Sequence, residues 1–413
     1  MTWEMVKLRD LGTWYGGGTP SKSNPDFWTN GDVPWLSPKD MGPEILHNTK
    51  DHVTAAAIVG SSTKLVPAGA VAVVTRSGIL ERTIPVALVP FATTMNQDMK
   101  AVVPRDGVDP RWVAWGLRAF ERDLLRDTRK AGTTVASIEM PRWYAFELPV
   151  PPLDEQRRIV AILEDHLSRL DAANTGLELT VRRLASLELS LAARATFGAA
   201  SNRVKLADIS TLITDGDHNP PKRVASGVPH VTAKGITPDG LINLDAGTYV
   251  SEDGFLQTAK RYLPTPGDVI VTCVGTIGRV AVVPPGVRFS ADRNLAAVRL
   301  DHEIARPEYV EIALKSARIQ RFMQSASSST AQPHLYLRDL RRVEISVPSL
   351  TDQDQAVLRF KESQGVFQRL RDAAALAQRR SAALRRSLLA AAFSGRLMGS
   401  STEMSEVAGM ITP

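Results

Sequence analysis

The residue types that most often carry covalent or metal chemistry are sparse in this sequence. Cys273 is the only cysteine among 413 residues, and it lies in the apolar run VIVTCVG with no histidine close to it in the sequence. A thiol in such surroundings is typically buried and inert, because a nucleophilic thiol needs a base or a positive charge beside it. The seven histidines show no metal-ligand spacing. The sequence therefore predicts no catalytic residues and no metal site.

One polar segment has the composition of a base-holding motif. Asn219-Pro220-Pro221-Lys222 begins like the Asn-Pro-Pro-aromatic motif of amino methyltransferases, but a lysine stands where the aromatic residue would stack on a flipped base. No glycine-rich loop after a strand precedes it to hold S-adenosylmethionine. We therefore predict that the chain itself binds no methyl donor.

Basic residues form a third group that could take part in binding. Arg379, Arg380, Arg385 and Arg386 cluster near the end of the chain, and the formal net charge is +6. Such a cluster is either a solvated helix flank or a surface for phosphates or a partner protein, and the sequence leaves both interpretations open. The net charge by itself favours a polyanionic partner.

Two segments carry the apolar periodicity of coiled-coil helices. We expect these helices to form the frame that positions the rest of the chain. Residues 152–198 place apolar side chains at alternating three- and four-residue steps, and residues 349–397 repeat the arrangement. The predicted seam positions are Leu163, Leu170, Asn174, Leu177, Leu184 and Leu191 in the first segment and Phe360, Phe367, Leu370, Leu384 and Leu388 in the second. A helix of about forty residues is roughly 60 Å long, too long for the core of one domain, so each helix is predicted to pair with the other.

The seam also predicts how the helices associate. A polar residue such as Asn174 costs stability at a seam position but fixes the register, and Gly176 weakens the helix beside it. Four apolar residues of the helices fall outside the seam, namely Ile159, Ile162, Leu187 and Leu389. Because they would be exposed on the free protein, we predict that the chain is poorly soluble without partners.

Short motifs recur at a nearly constant offset and indicate a tandem duplication. Val6-Lys7-Leu8 matches Val204-Lys205-Leu206, Pro110 matches Pro307, and Val150-Pro151 matches Val347-Pro348. The predicted fold is mixed α/β, with globular units at residues 1–151 and 199–348, long helices at 152–198 and 349–397, and a disordered tail at 398–413. Within the first unit, strands are expected in VPAGAVAVVT and DMKAVVP, and one helix is expected from Pro110 to Arg129.

Composition restricts the class of protein. Hydrophobic residues make up 43% of the chain and charged residues 23%, which is typical of a soluble globular protein, and no apolar run is long enough to span a membrane. The start MTWEMVKLRD has no apolar signal-peptide core, and one cysteine suits a reducing compartment, so we expect a cytoplasmic protein. All seven tryptophans lie in the first unit, so the two units share a frame but present different surfaces.

The ordered motifs of both halves resemble those of the specificity subunits of type I DNA restriction-modification systems. In the first half they are Gly17-Gly18-Thr19-Pro20, Asn24-Pro25, Phe27-Trp28, Val33-Pro34-Trp35, Asn96-Gln97 and Val150-Pro151-Pro152-Leu153 followed by Glu155-Gln156. In the second half they are Asp215-Gly216-Asp217-His218, Gly275 to Val280, Asn294 and the closing Ala391-Ala392-Phe393-Ser394-Gly395. The second half departs from the first where Leu295 follows Asn294 and where Asp352-Gln353 replaces the Glu-Gln pair.

The resemblance implies an architecture and a function. Specificity subunits have two target-recognition domains, each followed by a long helix, and the two helices pair as an antiparallel coiled coil. The resemblance implies a non-catalytic protein that binds double-stranded DNA at a split, asymmetric sequence. It also implies two methyltransferase subunits and two restriction subunits as partners, with S-adenosylmethionine and ATP bound by those partners and not by this chain.

Residue chemistry then selects candidate DNA contacts. Lys and Arg suit phosphates, whereas Arg, Asn, Gln, Lys and Ser can recognise base edges. Those in turn-rich loops are Lys22, Ser37, Lys39, Arg76 and Gln97 in the first domain and His218, Asn219, Lys222, Lys234, Arg279 and Arg293 in the second. For any one of them a solvated surface or turn-forming role is the more common one, but as a set they favour DNA; Trp35 is expected in the core. The alternatives in other classes are a coiled-coil scaffold that does not read DNA and a self-contained methyltransferase.

Overall fold

The chain divides into two compact units in the computed structural model, which describes residues 3–130, 135–197, 203–219, 221–246, 248–327 and 333–398. One unit comprises Met1–Thr175 with Ala377–Pro413, and the other comprises Gly176–Leu376. Each unit therefore contains one α/β domain and a segment of both long helices. Residues 399–413 of the predicted tail and Pro220 of the Asn-Pro-Pro segment lie outside the described residues.

The first half of the chain alternates short strands and helices. Its strands are β1 (Glu4–Lys7), β2 (Gly12–Gly16), β3 (Val33–Leu36), β4 (Asp51–Val53), β5 (Ala70–Val74), β6 (Val86–Val89), β7 (Thr94–Met95), β8 (Met99–Pro104) and β9 (Glu147–Val150). Its helices are α1 (Ala55–Gly60), α2 (Pro110–Ala119), α3 (Glu121–Thr128), α4 (Met140–Ala145) and the long α5 (Leu153–Phe197).

The second half repeats this order with one additional strand. Its strands are β10 (Arg203–Lys205), β11 (Ser210–Asp215), β12 (Arg223–Val224), β13 (Val228–Val231), β14 (Thr248–Val250), β15 (Val269–Thr272), β16 (Val280–Val282), β17 (Ser290–Ala291), β18 (Leu295–Leu300) and β19 (Glu344–Ser346). Its helices are α6 (Glu252–Ala259), α7 (Pro307–Lys315), α8 (Ala317–Ser327), α9 (Leu337–Arg341) and the long α10 (Leu350–Phe393).

The two domains share one sheet topology, except that β12 adds a strand to the smaller sheet of the second domain. The first contains a four-stranded antiparallel sheet in the order β2-β8-β5-β6, a smaller sheet β4-β3-β7 and the pair β1-β9. The second contains β11-β18-β15-β16, the sheet β12-β14-β13-β17 and the pair β10-β19. The small sheets each include one parallel pair, β3 with β7 and β13 with β17. The mixed α/β fold with an internal repeat is therefore confirmed.

The central strand of each domain is buried on both faces. In β5 the alternating residues Val71 and Val73 belong to one apolar cluster, whereas Ala70, Ala72 and Val74 belong to another. Successive side chains of a strand point to opposite faces of the sheet, so β5 separates the two clusters. One cluster lies against helix α2, and the other includes residues of the smaller sheet.

The helix expected from Pro110 to Arg129 is wrong as one continuous element. It is split into α2 and α3 at Phe120, whose φ of −96° and ψ of 14° leave the helical range. The split lets Phe120 pack against both Phe146 and Phe393, with ring centroids 6.0 Å apart in each pair. The second domain is split at the equivalent place, where Ser316 has a ψ of 146°.

The long helices pack against each other within each unit. In the first unit, Leu163 and Leu167 near the start of α5 share a cluster with Leu388 and Ala392 near the end of α10. In the second unit, Ala192 near the end of α5 shares a cluster with Val357 and Phe360 near the start of α10. In both units the start of one helix meets the end of the other, which is an antiparallel arrangement.

Most seam positions are buried or half-buried, with one correction. The fully or largely buried ones are Leu163, Leu184, Phe360, Phe367 and Leu388, and the half-buried ones are Leu170, Asn174, Leu177, Leu191 and Leu384. Leu370, in contrast, is 46% exposed. The reason is that the step after Phe367 is four residues long, so Arg371 faces α5 instead and pairs with Glu188.

Ile159 also departs from the expectation of an exposed apolar residue, because it is fully buried against Trp112 and Trp115. Ile162 and Leu389 are half-buried in the same cluster. Leu187 is 50% exposed, as the sequence predicts.

A buried glutamine fastens the start of each long helix to its domain. Gln156 accepts a hydrogen bond from the backbone N–H of Asp109 at 2.8 Å and donates to the carbonyls of Gly107 and Pro151. Gln353 makes the same three contacts, with the N–H of Arg306 and the carbonyls of Ile304 and Pro348. Both side chains are fully buried. These bonds fix the direction in which each helix leaves its domain.

Candidate nucleic-acid interface

The candidate residues of the first domain gather where two parallel strands end. Strands β3 and β7 are paired in parallel, with Leu36 opposite Met95. The loop after β3 carries Lys39, and the loop after β7 carries Gln97. Because parallel strands end at the same edge of a sheet, both loops lie at one edge, which we call the first reading edge.

Neighbouring loops add further polar groups to the first reading edge. The side chain of Gln97 is exposed and accepts a hydrogen bond from the hydroxyl of Thr19, in the loop after β2. Arg76, in the loop after β5, donates through Nε to Asp98 at 2.7 Å and keeps 57% of its side chain exposed. Loops after β2, β5 and β7 thus meet here.

Lys39 remains charged at this edge. Its Nζ lies 2.5 Å from the carboxylate of Asp51, and about half of its side chain is exposed. The hydrogen bond to Asp51 raises the pKa of the ammonium group. Lys22 is exposed in the loop before β3.

The second domain has an equivalent edge with different side chains. Strands β13 and β17 are paired in parallel, with Val231 opposite Ala291. Lys234 lies in the loop after β13 and Arg293 in the turn after β17, and both are exposed. We call this edge the second reading edge.

A groove opens at the second reading edge. Its volume is about 690 Å³, and its polar lining includes Asp215, His218, Arg293, Asn294, Tyr336 and Arg338. The ring centroids of His334 and Tyr336 are 4.6 Å apart, and the guanidinium of Arg338 lies 5.0 Å from the Tyr336 centroid. The groove therefore combines cationic donors with an aromatic surface, the combination that suits nucleic acids.

The acidic residue in this groove is paired. Asp215 accepts from Arg261 and lies 3.0 Å from Nε2 of His218. Arg261 also donates to His218 at 3.2 Å. Because Arg261 offsets the carboxylate, the groove keeps a cationic character toward a phosphate or a base acceptor.

A buried charged group supports the turn that carries Arg293. Asp292 faces Nε2 of the buried His230 at 3.5 Å, and its carboxylate accepts from the N–H of Asn294 at 2.9 Å. Burial raises the pKa of Asp292, but the imidazole and the backbone donor outweigh burial, so the pKa lies below its usual range. The carboxylate is therefore ionised at neutral pH, and it holds the turn.

Several predicted contacts lie elsewhere. Ser37 is only 5% exposed, and its hydroxyl donates to Asp40 at 2.9 Å, so the side chain caps a short 3-10 helix inside the domain. Arg279 donates to the carbonyl of Ile236 at 2.8 Å and lines a different cavity, of about 630 Å³, beside helix α5. Asn219 and Lys222 are exposed in the loop after β11.

Sequence reasoning missed Arg261, His334, Tyr336 and Arg338, because they come to the second reading edge from segments far from the other candidates in sequence. No local motif marks them. The internal duplication could have pointed to His334. The segment before α9 is equivalent to the segment before α4, and the bridge between Val274 and His334 matches the bridge between Arg76 and Ser137.

The structure places Cys273 in the core. Its side chain is 3% exposed, and burial raises the pKa of the thiol to about 12. In the part of the chain that the structure describes, no group of three or more His, Cys, Asp or Glu residues could hold a metal ion. Nor, within those residues, does any helix combine the length and apolar character needed to cross a membrane.

The repeat of two similar domains agrees with the comparisons by sequence. The family described as the type I restriction modification DNA specificity domain matches residues 1–182 and again residues 203–362. The chain belongs to this family, and the membership predicted from the motifs is confirmed.

Individual relatives carry the same description. The Escherichia coli type I restriction enzyme EcoR124I/EcoR124II specificity subunit is 42% identical over 174 residues, which is 42% of this chain and 43% of that protein. The Escherichia coli EcoBI specificity subunit is 26% identical over 277 residues, or 60% of this chain and 58% of that protein. The matched segments thus span less than two thirds of these relatives.

Solved structures share the fold over nearly the whole chain. A chain from a structural study of assembly and conformational transition in the type I R-M system has a TM-score of 0.76 at 18% identity, covering 96% of this chain and 98% of that one. The HsdS subunit from Thermoanaerobacter tengcongensis has a TM-score of 0.55 at 18% identity, covering 95% and 97%. At such identities the likeness establishes the fold alone.

Proposed function

We propose that this chain is the non-catalytic DNA-recognition subunit of a type I restriction-modification complex, with one domain for each half of a split target. The observation that carries the proposal is the pair of reading edges: two domains of one topology present the same loops with different polar side chains. Lysine is kept at the equivalent positions 39 and 234, whereas Gln97 of the first edge is replaced by Arg293 in the second. Two domains with one fold but different loop side chains are suited to recognising two different DNA sequences.

The cationic residues of both edges supply the sequence-independent part of binding. Exposed Lys22, Lys39, Lys222 and Lys234 are suited to phosphates, which position the protein without selecting a sequence. Arg76, Gln97, His218 and Arg293 have the donors and acceptors that recognise base edges. Double-stranded DNA is therefore the proposed ligand, and the cytoplasm is the proposed location.

The long helices are proposed to dock two methyltransferase subunits, which two restriction subunits join. The support is an exposed apolar surface on the helix segments of the second unit, made of Leu179, Leu187, Leu189, Leu358, Val366, Leu370 and Leu376. Apolar surface of this extent is unusual on a protein that functions without partners. S-adenosylmethionine and ATP belong to those partners in this proposal.

Methylation mapping tests the proposal. Deleting the gene should remove one bipartite methylated motif from the genome of the source organism, and a plasmid copy should restore it. Persistence of every motif after deletion would contradict the proposal. Loss of methylation with a protein that binds the methyltransferase but no specific duplex would favour the scaffold alternative. Labelled S-adenosylmethionine retained by the purified chain alone would favour a self-contained methyltransferase.

A further inference from the structure

We propose that positions 97 and 293 are the same base-reading position in the two domains, where Gln97 recognises an adenine in one half-site and Arg293 recognises a guanine in the other. This inference rests on the proposed function and adds the base and the residue to it. Neither the family match nor the relatives assign a role to either residue.

The equivalence of the two positions follows from their hydrogen bonds. Residue 97 follows Asn96, whose N–H donates to the carbonyl of Leu36 at 2.9 Å. Residue 293 follows Asp292, whose N–H donates to the carbonyl of Val231 at 3.0 Å. In both domains the acceptor is the last residue of the neighbouring parallel strand, so both turns leave their sheets at the same place. The counterpart of Asn96 is therefore Asp292, and the match of Asn96 with Asn294 expected from the motifs is wrong.

Each turn is also closed by the same side-chain bond. Oδ1 of Asn96 accepts from the N–H of Asp98 at 2.9 Å, and Oδ1 of Asp292 accepts from the N–H of Asn294 at 2.9 Å. The closing side chains are buried, with exposures of 8% for Asn96 and 9% for Asp292. The residue between, Gln97 or Arg293, is exposed. A buried clamp thus presents one exposed side chain, the arrangement that a specific contact needs.

The side chains differ in a way that predicts different bases. Arginine donates two parallel hydrogen bonds to O6 and N7 of guanine, whereas glutamine accepts from N6 and donates to N7 of adenine. Oε1 of Gln97 already accepts from Thr19, which fixes the amide plane and leaves a second lone pair on that oxygen; among the described residues, neither Nε2 hydrogen has an acceptor.

Arg293 is available for such a contact. Within the described part of the chain its guanidinium has no hydrogen-bond or ion-pair partner, and it lines the groove of about 690 Å³. Asn294 and Tyr336 lie in the same groove, beside the place where a base edge would be read. The carboxylate of Asp215 is engaged by Arg261, so it does not compete for the guanidinium.

The test exchanges the two side chains in the full chain, co-expressed with its methyltransferase partner. Arg293→Gln should replace one guanine by adenine in the second half-site and leave the first half-site unchanged. Gln97→Arg should replace one adenine by guanine in the first half-site only. The affinity for the original duplex should fall about 10- to 100-fold in each case, since a bidentate base contact contributes that much discrimination. Methylation-sensitive sequencing and competition binding measure both effects.

Two further variants separate base reading from other roles. Arg293→Lys should keep the preference for guanine with weaker binding, because lysine also donates to guanine. Lys234→Gln, at the same edge, should weaken binding to all duplexes equally and leave the motif unchanged, as expected for a phosphate contact.

The outcomes are distinguishable. If Arg293→Gln folds normally by circular dichroism and keeps the original motif, or weakens all duplexes equally, the inference is wrong while the proposed function stands. If the unaltered complex prefers no DNA sequence, the proposed function fails. A changed base at the predicted half-site supports both.

Discussion

Trp112 in the first unit and Tyr309 in the second occupy equivalent positions. They show that the two units keep the same fold with different buried side chains. Each is fully buried in a helix that begins at a proline. Trp112 donates to the carbonyl of Pro149 at 2.9 Å, and Tyr309 donates to the carbonyl of Ser346 at 2.8 Å. The duplication has kept the hydrogen bond and replaced the ring.

The replacement changes how each unit covers its helix segments. Trp112 packs on Phe393 with ring centroids 4.3 Å apart, and Trp115 joins the same cluster. In the second unit the corresponding cluster has Tyr309 and Ile312 instead, and the single hydroxyl hydrogen of Tyr309 is shared between the carbonyl of Ser346 and that of Thr196, which lies 3.1 Å away. Exposed large apolar residues on the long helices lie only in the second unit, among the described residues. The helix segments of the two units therefore differ in how much apolar surface they leave exposed.

Truncating the buried ring gives the largest expected effect. Trp112→Ala should lower the free energy of unfolding of the first unit by about 3–5 kcal/mol, because it leaves a large cavity and an unpaired carbonyl. All seven tryptophans lie in the first half of the chain, so tryptophan fluorescence during denaturant unfolding reports this unit. Tyr309→Ala is the matched variant. If it shifted the fluorescence transition as much as Trp112→Ala, the two units would unfold as one.

The matched glutamines test the attachment of each helix to its domain. Gln156→Leu should cost about 2–3 kcal/mol, because it leaves the N–H of Asp109 and two carbonyls buried without partners. Gln353→Leu should cost a similar amount in the second unit. The first change should appear in tryptophan fluorescence and the second mainly in far-ultraviolet circular dichroism. The exposed Gln378 provides a control, since Gln378→Leu should change stability by less than about 0.5 kcal/mol. Equal, negligible effects at all three positions would remove the proposed role of the buried pair.

Asn174 should give a smaller effect of opposite sign. Its Oδ1 is buried, and among the described residues it has no hydrogen-bond partner. Asn174→Leu should therefore raise the free energy of unfolding by about 1–2 kcal/mol. Thermal unfolding followed by circular dichroism measures the change, with the exposed Thr175→Leu as control. A lower melting temperature for Asn174→Leu would mean that the amide has a stabilising contact in solution.

The smallest expected difference between the units is in how much stability each loses at acidic pH. Asp268 in the second unit is 1% exposed; burial raises its pKa, but hydrogen bonds from Arg299, Thr265 and Tyr262 outweigh burial and hold the pKa below its usual range. A carboxyl whose pKa is lowered by folding contributes stability above the unfolded pKa and loses it as the pH falls through the folded pKa. The equivalent position in the first unit is the apolar Ala70. Between pH 7 and pH 3, the circular-dichroism midpoint should therefore fall more than the fluorescence midpoint; a larger fall in fluorescence would contradict this assignment.

Much of the fold could be predicted because its determinants are local. The heptad pattern predicts both long helices, the apolar runs predict strands such as Ala70–Val74, and Pro110 and Pro307 mark helix starts. The break at Phe120 could not be predicted, because it depends on contacts with Phe146 and Phe393 from distant segments. The contacts of Gln156 and Gln353 were hidden for the same reason.

The candidate site was predictable only in part. Gln97 and Arg293 stand out because they follow short strands in turn-rich loops, and the structure puts them at equivalent edges. Ser37 has the right chemistry but is buried, and Arg279 faces another cavity. Tyr336 and Arg338 reach the groove through the tertiary fold, which residue types cannot reveal.

A domain exchange tests the central claim, one reading edge for each half-site, most directly. Residues 1–151 would be replaced by the matching domain of a family relative with a different target, and the chimera co-expressed with the methyltransferase of this system. Methylation-sensitive sequencing should show that one half of the bipartite motif takes the relative's sequence while the other half is unchanged. A motif altered in both halves, or in neither, in a folded and methylating complex would contradict the account.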